Sequence, residues 1–179
     1  MKNTNLPSDN IAYSNIIERT SIRKFTDQNI NDTFCEAILH AAMSAPSGVN
    51  LQPWEFVVIR TPEFLKELGE ALPYSASVTN APIAILVCAN RRRFLEGDDS
   101  TLWVQDVSAA SENILLAAHA LGLGAVWTCI YPHPDREDAV RRILPLSDDF
   151  IPFSLIPIGY PAATHAPINK WHPERVHNV

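Results

Sequence analysis

Apolar positions recur along this chain in two rhythms, one of helical spacing and one of continuous strand-length runs, and the two alternate almost from end to end. Residues 11–18 carry Ile11, Ile16 and Ile17 and predict a short helix. Phe34, Ala37, Ile38, Ala41 and Ala42 follow at helical spacing after a start at Asn31, Asp32 and Thr33, with Thr33 and Glu36 at capping-box distance. Residues 55–60 hold Phe56, Val57, Val58 and Ile59 and predict a buried strand. Thr61, Pro62 and Glu63 open a helix with a hydroxyl cap, a proline at the first position and an acid at the positive end of the dipole. Residues 81–89 form a continuous apolar run, a central strand. The longest helix covers residues 101–121, roughly 30 Å, with Val104, Val107, Ser111, Ile114, Leu115 and Ala118 on one face. A strand at 125–130, a helix at 134–144 and a strand at 153–160 complete the pattern, Pro157 marking the last as an edge or a bulge. The prediction is an α+β fold, a central mixed β-sheet flanked by helices.

Between the second helix and the first strand, residues 45–54 break both rhythms. Pro46 biases Ala45 out of the helical region, Gly48 admits unusual backbone angles, and Pro53 pushes Gln52 toward extended geometry. Ser47, Asn50 and Gln52 therefore sit on a stiff polar loop, which reads either as an ordinary connection or as a surface presenting hydroxyl, amide and N–H groups to a flat polar ligand. Near the N-terminus, Arg19 and Arg23 bracket Thr20 and Ser21. Guanidiniums this close repel one another, and a phosphate between them relieves that cost; pairing with Glu18 or Asp27 is the plainer alternative. Arg91, Arg92 and Arg93 open a polar excursion that reads as a solvated loop or as a cationic rim.

The 179 residues suit one domain, and the net charge of -6 argues against a nucleic acid or an anionic membrane as partner. Residues 1–10 read as a flexible lead-in without a leader-like apolar core, and no run is long enough for a membrane span, so the expectation is a cytoplasmic protein. Cys35, Cys88 and Cys129 lie far apart among apolar residues and read as buried free thiols. His172 and His177 lack partners at metal-ligand spacing, so no metal site is expected. Gly122 and Gly124 follow a helix and precede a strand, the reverse of a dinucleotide fingerprint. No acid, base or nucleophile pairs convincingly with another, which points to a protein that borrows its reactive group from a cofactor.

Four pieces together, Arg19-Thr20-Ser21-Ile22-Arg23, the Ala45 to Trp54 loop, Gly122-Leu123-Gly124 and Pro157-Ile158-Gly159-Tyr160-Pro161, resemble the nitroreductase family of flavoproteins over roughly residues 13–175. The resemblance implies FMN at the interface of an intertwined homodimer. NAD(P)H would pass a hydride to flavin N5, leave, and be replaced in ping-pong fashion by a nitroarene or quinone, with no catalytic side chain. Residue by residue, it implies that Arg19 and Arg23 engage phosphate and ribityl chain with Thr20 and Ser21. Pro46, Ser47, Asn50 and Gln52 would meet the flavin from the partner, and Thr128, Cys129 and Ile130 would lie along the ring. Lys170 would complete the phosphate site, with Arg175 in competition. The division implied is a lead-in at 1–10, an FMN-binding domain at 11–161 and a tail at 162–179 that completes the dimer or the cofactor site. Two departures bear on the acceptor. Ile130-Tyr131 replaces the acidic-glycine turn of longer members, and the substrate-covering insertion shrinks to about residues 91–102. Reductive dehalogenation, flavin fragmentation and non-enzymatic flavin binding are the alternative readings on this scaffold.

Overall fold

The computed structural model describes residues 10–163 and 165–179; of the lead-in, residues 1–9 lie outside this range. The chain runs α1 (Ile11–Glu18), α2 (Asp32–Met43), β1 (Trp54–Ile59), α3 (Pro62–Ala71), α4 (Ala76–Thr79), β2 (Ile83–Asn90), α5 (Trp103–Ala120), β3 (Gly124–Ala125), β4 (Thr128–Cys129), α6 (Pro134–Ile143) and β5 (Phe150–Gly159). The sheet order is β1-β2-β5-β3, with β4 also on β5. Every ladder is antiparallel, and the parallel component is a single bridge between Ser21 and Ala125.

Strand β2 explains why its sequence lacks alternation. Ile83, Ile85, Val87 and Ala89 enter one apolar cluster with α2 and α5, while Ala84, Leu86 and Cys88 enter a second with α3 and α6. A strand covered on both faces reads as a continuous apolar run. Its partner β5 changes parity midway: the register slips between Val87 opposite Ser154 and Cys88 opposite Pro152, leaving Phe153 as an extra residue. This bulge puts Phe153 and Ser154 both toward α5, where the Ser154 and Ser111 hydroxyls bond at 3.0 Å. It also turns the Phe153 carbonyl to accept from the N–H groups of both Ile130 and Tyr131, each at 3.1 Å.

Several local expectations change. Pro157 lies in a central strand, opposite the stretch between β3 and β4 where β5 has no ladder partner on that side, so its missing N–H costs no ladder bond. The α2 cap is Asn31, whose side chain accepts from the Phe34 N–H at 2.8 Å, and not Thr33 with Glu36. Thr61 precedes α3 without a side-chain capping bond, leaving Pro62 as the start signal. Cys35 and Cys88 are buried free thiols, but Cys129 is exposed at the sheet edge. Burial pushes the Cys88 thiol up to about 12 and raises Cys35 as well, so neither forms a reactive thiolate at neutral pH.

Candidate functional site

Arg19, Thr20, Ser21 and Arg23 follow α1 on an extended segment held to the sheet by main-chain bonds, Ile22 N–H to the Ala125 carbonyl at 3.0 Å and Thr26 N–H to the Tyr160 carbonyl at 2.9 Å. Two glycines make its seat. Gly124 and Gly159 face each other across β3 and β5, and a Cβ on either would meet Ile22 at 2.6 Å or Phe25 at 2.8 Å. Side chains at these positions would lift the segment off the sheet.

The two arginines differ in environment. The Arg19 side chain is 14% exposed, with Nε 3.6 Å from a Glu112 carboxylate oxygen on α5, and its terminal nitrogens have no hydrogen-bond partner among the described residues. Arg23 is exposed and forms no ion pair among the described residues. Neither pairs with Glu18 or Asp27. Guanidinium nitrogens without partners among the described residues, on a segment that also carries the Thr20 and Ser21 hydroxyls, are a donor set that fits a phosphate monoester.

The loop after α2 is held from several sides. The Ser47 hydroxyl accepts from Gln52 N–H at 3.0 Å, the Asn50 side-chain oxygen accepts from Gln52 Nε2 at 3.2 Å, and Asn50 N–H donates to the Ser47 carbonyl at 3.1 Å. Val49, Asn50 and Gln52 have φ of 42°, 60° and 51°, left-handed values that cost on the order of 1–3 kcal/mol each in residues other than glycine. Pro46, Val49, Asn50 and Gln52 are exposed. Gly48 N–H donates to the carboxylate of Asp106 at 2.9 Å, and the Gln52 carbonyl accepts from Arg93 Nη1 at 3.0 Å.

Helix α5 carries both halves. Asp106 holds the loop and Glu112 faces Arg19, six residues apart, about 9 Å along the axis and roughly 120° around it. Among the described residues no hydrogen bond or ion pair links 19–23 to 46–52, so within one chain the two halves point to different sides of one helix.

The remaining expected residues are elsewhere. Thr128 is buried opposite Leu155, and Cys129 lies opposite Ser154 with its carbonyl accepting from Arg136 Nη1 at 2.9 Å. Ile130 is fully buried in the cluster shared with α3 and α6, and its N–H is taken by Phe153, so it presents no side chain to a ligand. Lys170 is exposed in the tail, where residues 165–179 have no hydrogen-bond partner among the described residues outside the tail; Trp171 N–H, for one, donates to Asn169 Oδ1 at 2.9 Å. The tail does not wrap its own domain, and Trp171 is 69% exposed.

Of the polar excursion, Arg92 pairs with Asp149 at 2.5 Å, and Arg93 serves the loop. The sequence pattern does not single out Asp106, and it reads Arg93 only as part of a solvated loop or cationic rim, not as a partner of the loop at residues 47–52. Asp106 was detectable, because Trp103, Asp106, Val107 and Ala110 share one helical stripe and a carboxylate in an apolar stripe needs a partner. Arg93 carried no such signal. A concavity of about 260 Å³ lies toward α3 and α6, lined by Val58, Phe64, Leu146 and Phe150; its Arg60 is committed to Asp32 at 2.9 Å and carries no free charge. No group of three His, Cys, Asp or Glu side chains suited to a metal occurs among the described residues, and none of their helices is long and apolar enough to cross a membrane.

Comparison with known proteins adds to this picture. A family model described as the nitroreductase family matches residues 16–160. A Methanothermobacter thermautotrophicus protein provisionally named NADH dehydrogenase/NAD(P)H nitroreductase is 46% identical over 165 residues, covering 89% of this chain and 82% of its own. A crystal structure of a like-named Bacteroides thetaiotaomicron protein superposes with a TM-score of 0.89 at 41% identity, covering 94% of this chain and 97% of that one. A Desulfovibrio desulfuricans structure described as a complex with FMN superposes at 0.81 with 31% identity, covering 95% and 97%.

Proposed function

The chain belongs to the nitroreductase family, and from that premise we propose that it is an FMN-dependent oxidoreductase that passes electrons from NAD(P)H to electron-poor acceptors such as nitroaromatics and quinones by a ping-pong cycle. The observation that supports this reading best is the docked segment with Arg19 and Arg23, whose guanidinium nitrogens without partners among the described residues, with the hydroxyls of the same segment, suit the FMN phosphate. Bound FMN supplies the two-electron redox chemistry that no side-chain pair here provides.

In this reading the protein's work is binding, orientation and electrostatics. Arg19 and Arg23 hold the phosphate, and Thr20 and Ser21 add hydrogen bonds to phosphate and ribityl chain. Lys170 completes the site from the tail. Ser47, Asn50 and Gln52, with Pro46 beside them, meet the ring from the partner subunit, because within one chain the loop and the arginine segment hang from different sides of α5. Thr128 and Cys129 lie along the ring edge, and Ile130 supports them from the core. With FMN bound, a backbone amide or one of these cations would offset negative charge at its pyrimidine end.

The reading includes a homodimer in the cytoplasm. Ile11, Ile16 and Ile17 on α1, with Met43, Val49 and Ile168, are large apolar side chains left exposed in the single chain, and residues 165–179 are exposed throughout. Free thiols fit a reducing compartment. The test is the visible spectrum of the purified protein followed by steady-state NAD(P)H oxidation with a nitroarene or quinone. A yellow protein that turns over both is expected; a flavin-loaded protein without turnover overturns the reductase reading.

A further inference from the structure

We infer that Asp106 and Arg93 form a two-ended clamp that pre-organises residues 47–52 for FMN, an inference that rests on the flavin reading above. Burial does not hold this loop: Val49 is 78% exposed, and Asn50 and Gln52 are exposed, yet all three keep left-handed backbone angles that a free loop would relax. Bonds from Ser47 and Asn50 shape the loop from within, and its side-chain tethers to the rest of the chain come at the two ends. Asp106 takes the Gly48 N–H at the start, and Arg93 grips the Gln52 carbonyl at the end.

Each clamp residue is itself fixed. Asp106 is buried on α5 beside Trp103, Val107 and Ala110, and the Gly48 N–H is its one hydrogen-bond partner among the described residues. A buried carboxylate with a single main-chain partner costs stability, so its contribution lies in what it positions. Arg93 leaves a 3-10 turn and is steadied by Glu55, 3.8 Å from its Nη2. Both act through the loop as positioning residues: they set where Ser47, Asn50 and Gln52 stand before the flavin arrives, so that binding does not have to order them.

The experiment compares full-length wild type, Asp106→Ala, Asp106→Asn, Arg93→Met and Arg93→Lys in two measurements. In FMN-free protein, amide exchange across residues 48–52 is expected to quicken in Asp106→Ala and Arg93→Met. FMN affinity, from quenching of flavin fluorescence, is expected to fall about tenfold or more in Asp106→Ala and several-fold in Arg93→Met. Asp106→Asn keeps an acceptor oxygen for Gly48 and is expected to recover most of the affinity, a rescue that a general loss of folding stability does not predict. Should Asp106→Ala fail to fold, Arg93→Met with Arg93→Lys decides. Unchanged exchange in the folded variants overturns the clamp, as does faster exchange with unchanged FMN affinity. A wild-type protein that takes up no FMN overturns the flavin reading instead, and the exchange measurement still reports on the clamp.

Discussion

Arg19 and Arg23 stand four residues apart and do different work. Arg19 leans on Glu112 and is largely covered, whereas Arg23 is exposed with no ion-pair partner among the described residues. Arg23→Ala is therefore expected to lower FMN affinity by about tenfold or more while leaving the melting temperature unchanged. A fluorescence titration beside a thermal melt checks both halves. Cys129 offers a second probe. In FMN-free native protein, alkylation at pH 8 should label Cys129 alone, because Cys35 and Cys88 are buried with raised thiol pKa values. Denatured protein should take up three labels, and FMN should protect Cys129 if the ring covers β4; mass spectrometry reads the count. Glu137 gives a pH signature. Burial raises its carboxyl above the ordinary 4.5, against the opposing pull of Arg141 and Arg91. The folded state therefore binds this proton more tightly than the unfolded one. The stabilisation is complete below pH 4.5 and is lost as pH rises through the raised value. Glu137→Gln should melt higher than wild type at pH 7, with the gain vanishing toward pH 4.5.

At the scale of elements, most of the framework was legible because each element carries its own period. The apolar run at residues 81–89 announces a central strand, found at Ile83–Asn90 and covered on both faces, and the α5 stripe announces the face on which the sheet rests. What was not legible depends on two segments at once. The Phe153 bulge is a mismatch between β2 and β5, which no single run of residues contains, and Pro157 escapes the edge rule because the neighbouring strands break opposite it. Gly124 and Gly159 read as a helix end and a strand end, yet their structural role is the close approach of residues 22 and 25. Gly124→Ala puts a Cβ 2.6 Å from Ile22 and should destabilise by about 1–3 kcal/mol. Urea melts measure that cost, and an accompanying loss of FMN affinity would trace it to displacement of the arginine segment.

For the whole molecule, the candidate residues were legible as separate pieces, but their assembly was not. Asp106 escaped notice because hydrophobic periodicity counts it as a polar break; only the loop lying over it reveals its partner. The tail poses the same problem on a larger scale: its apolar and aromatic side chains touch no core of their own, and sequence pattern cannot tell an outward reach from an inward wrap. If the proposed homodimer forms through the tail, removing residues 165–179 shifts sedimentation from dimer toward monomer and weakens FMN retention. Unchanged sedimentation would take the tail out of the interface.

The seat made by Gly124 and Gly159 also has a consequence for the order of events during synthesis. Residues 19–25 are translated well before Gly124 and Gly159, which belong to the surface that receives them. The arginine segment must wait, undocked, until residue 159 has been made, and a chain arrested before that has no complete seat for it. On the proposed reading of Arg19 and Arg23, a phosphate could not be gripped there until the chain had grown past residue 159.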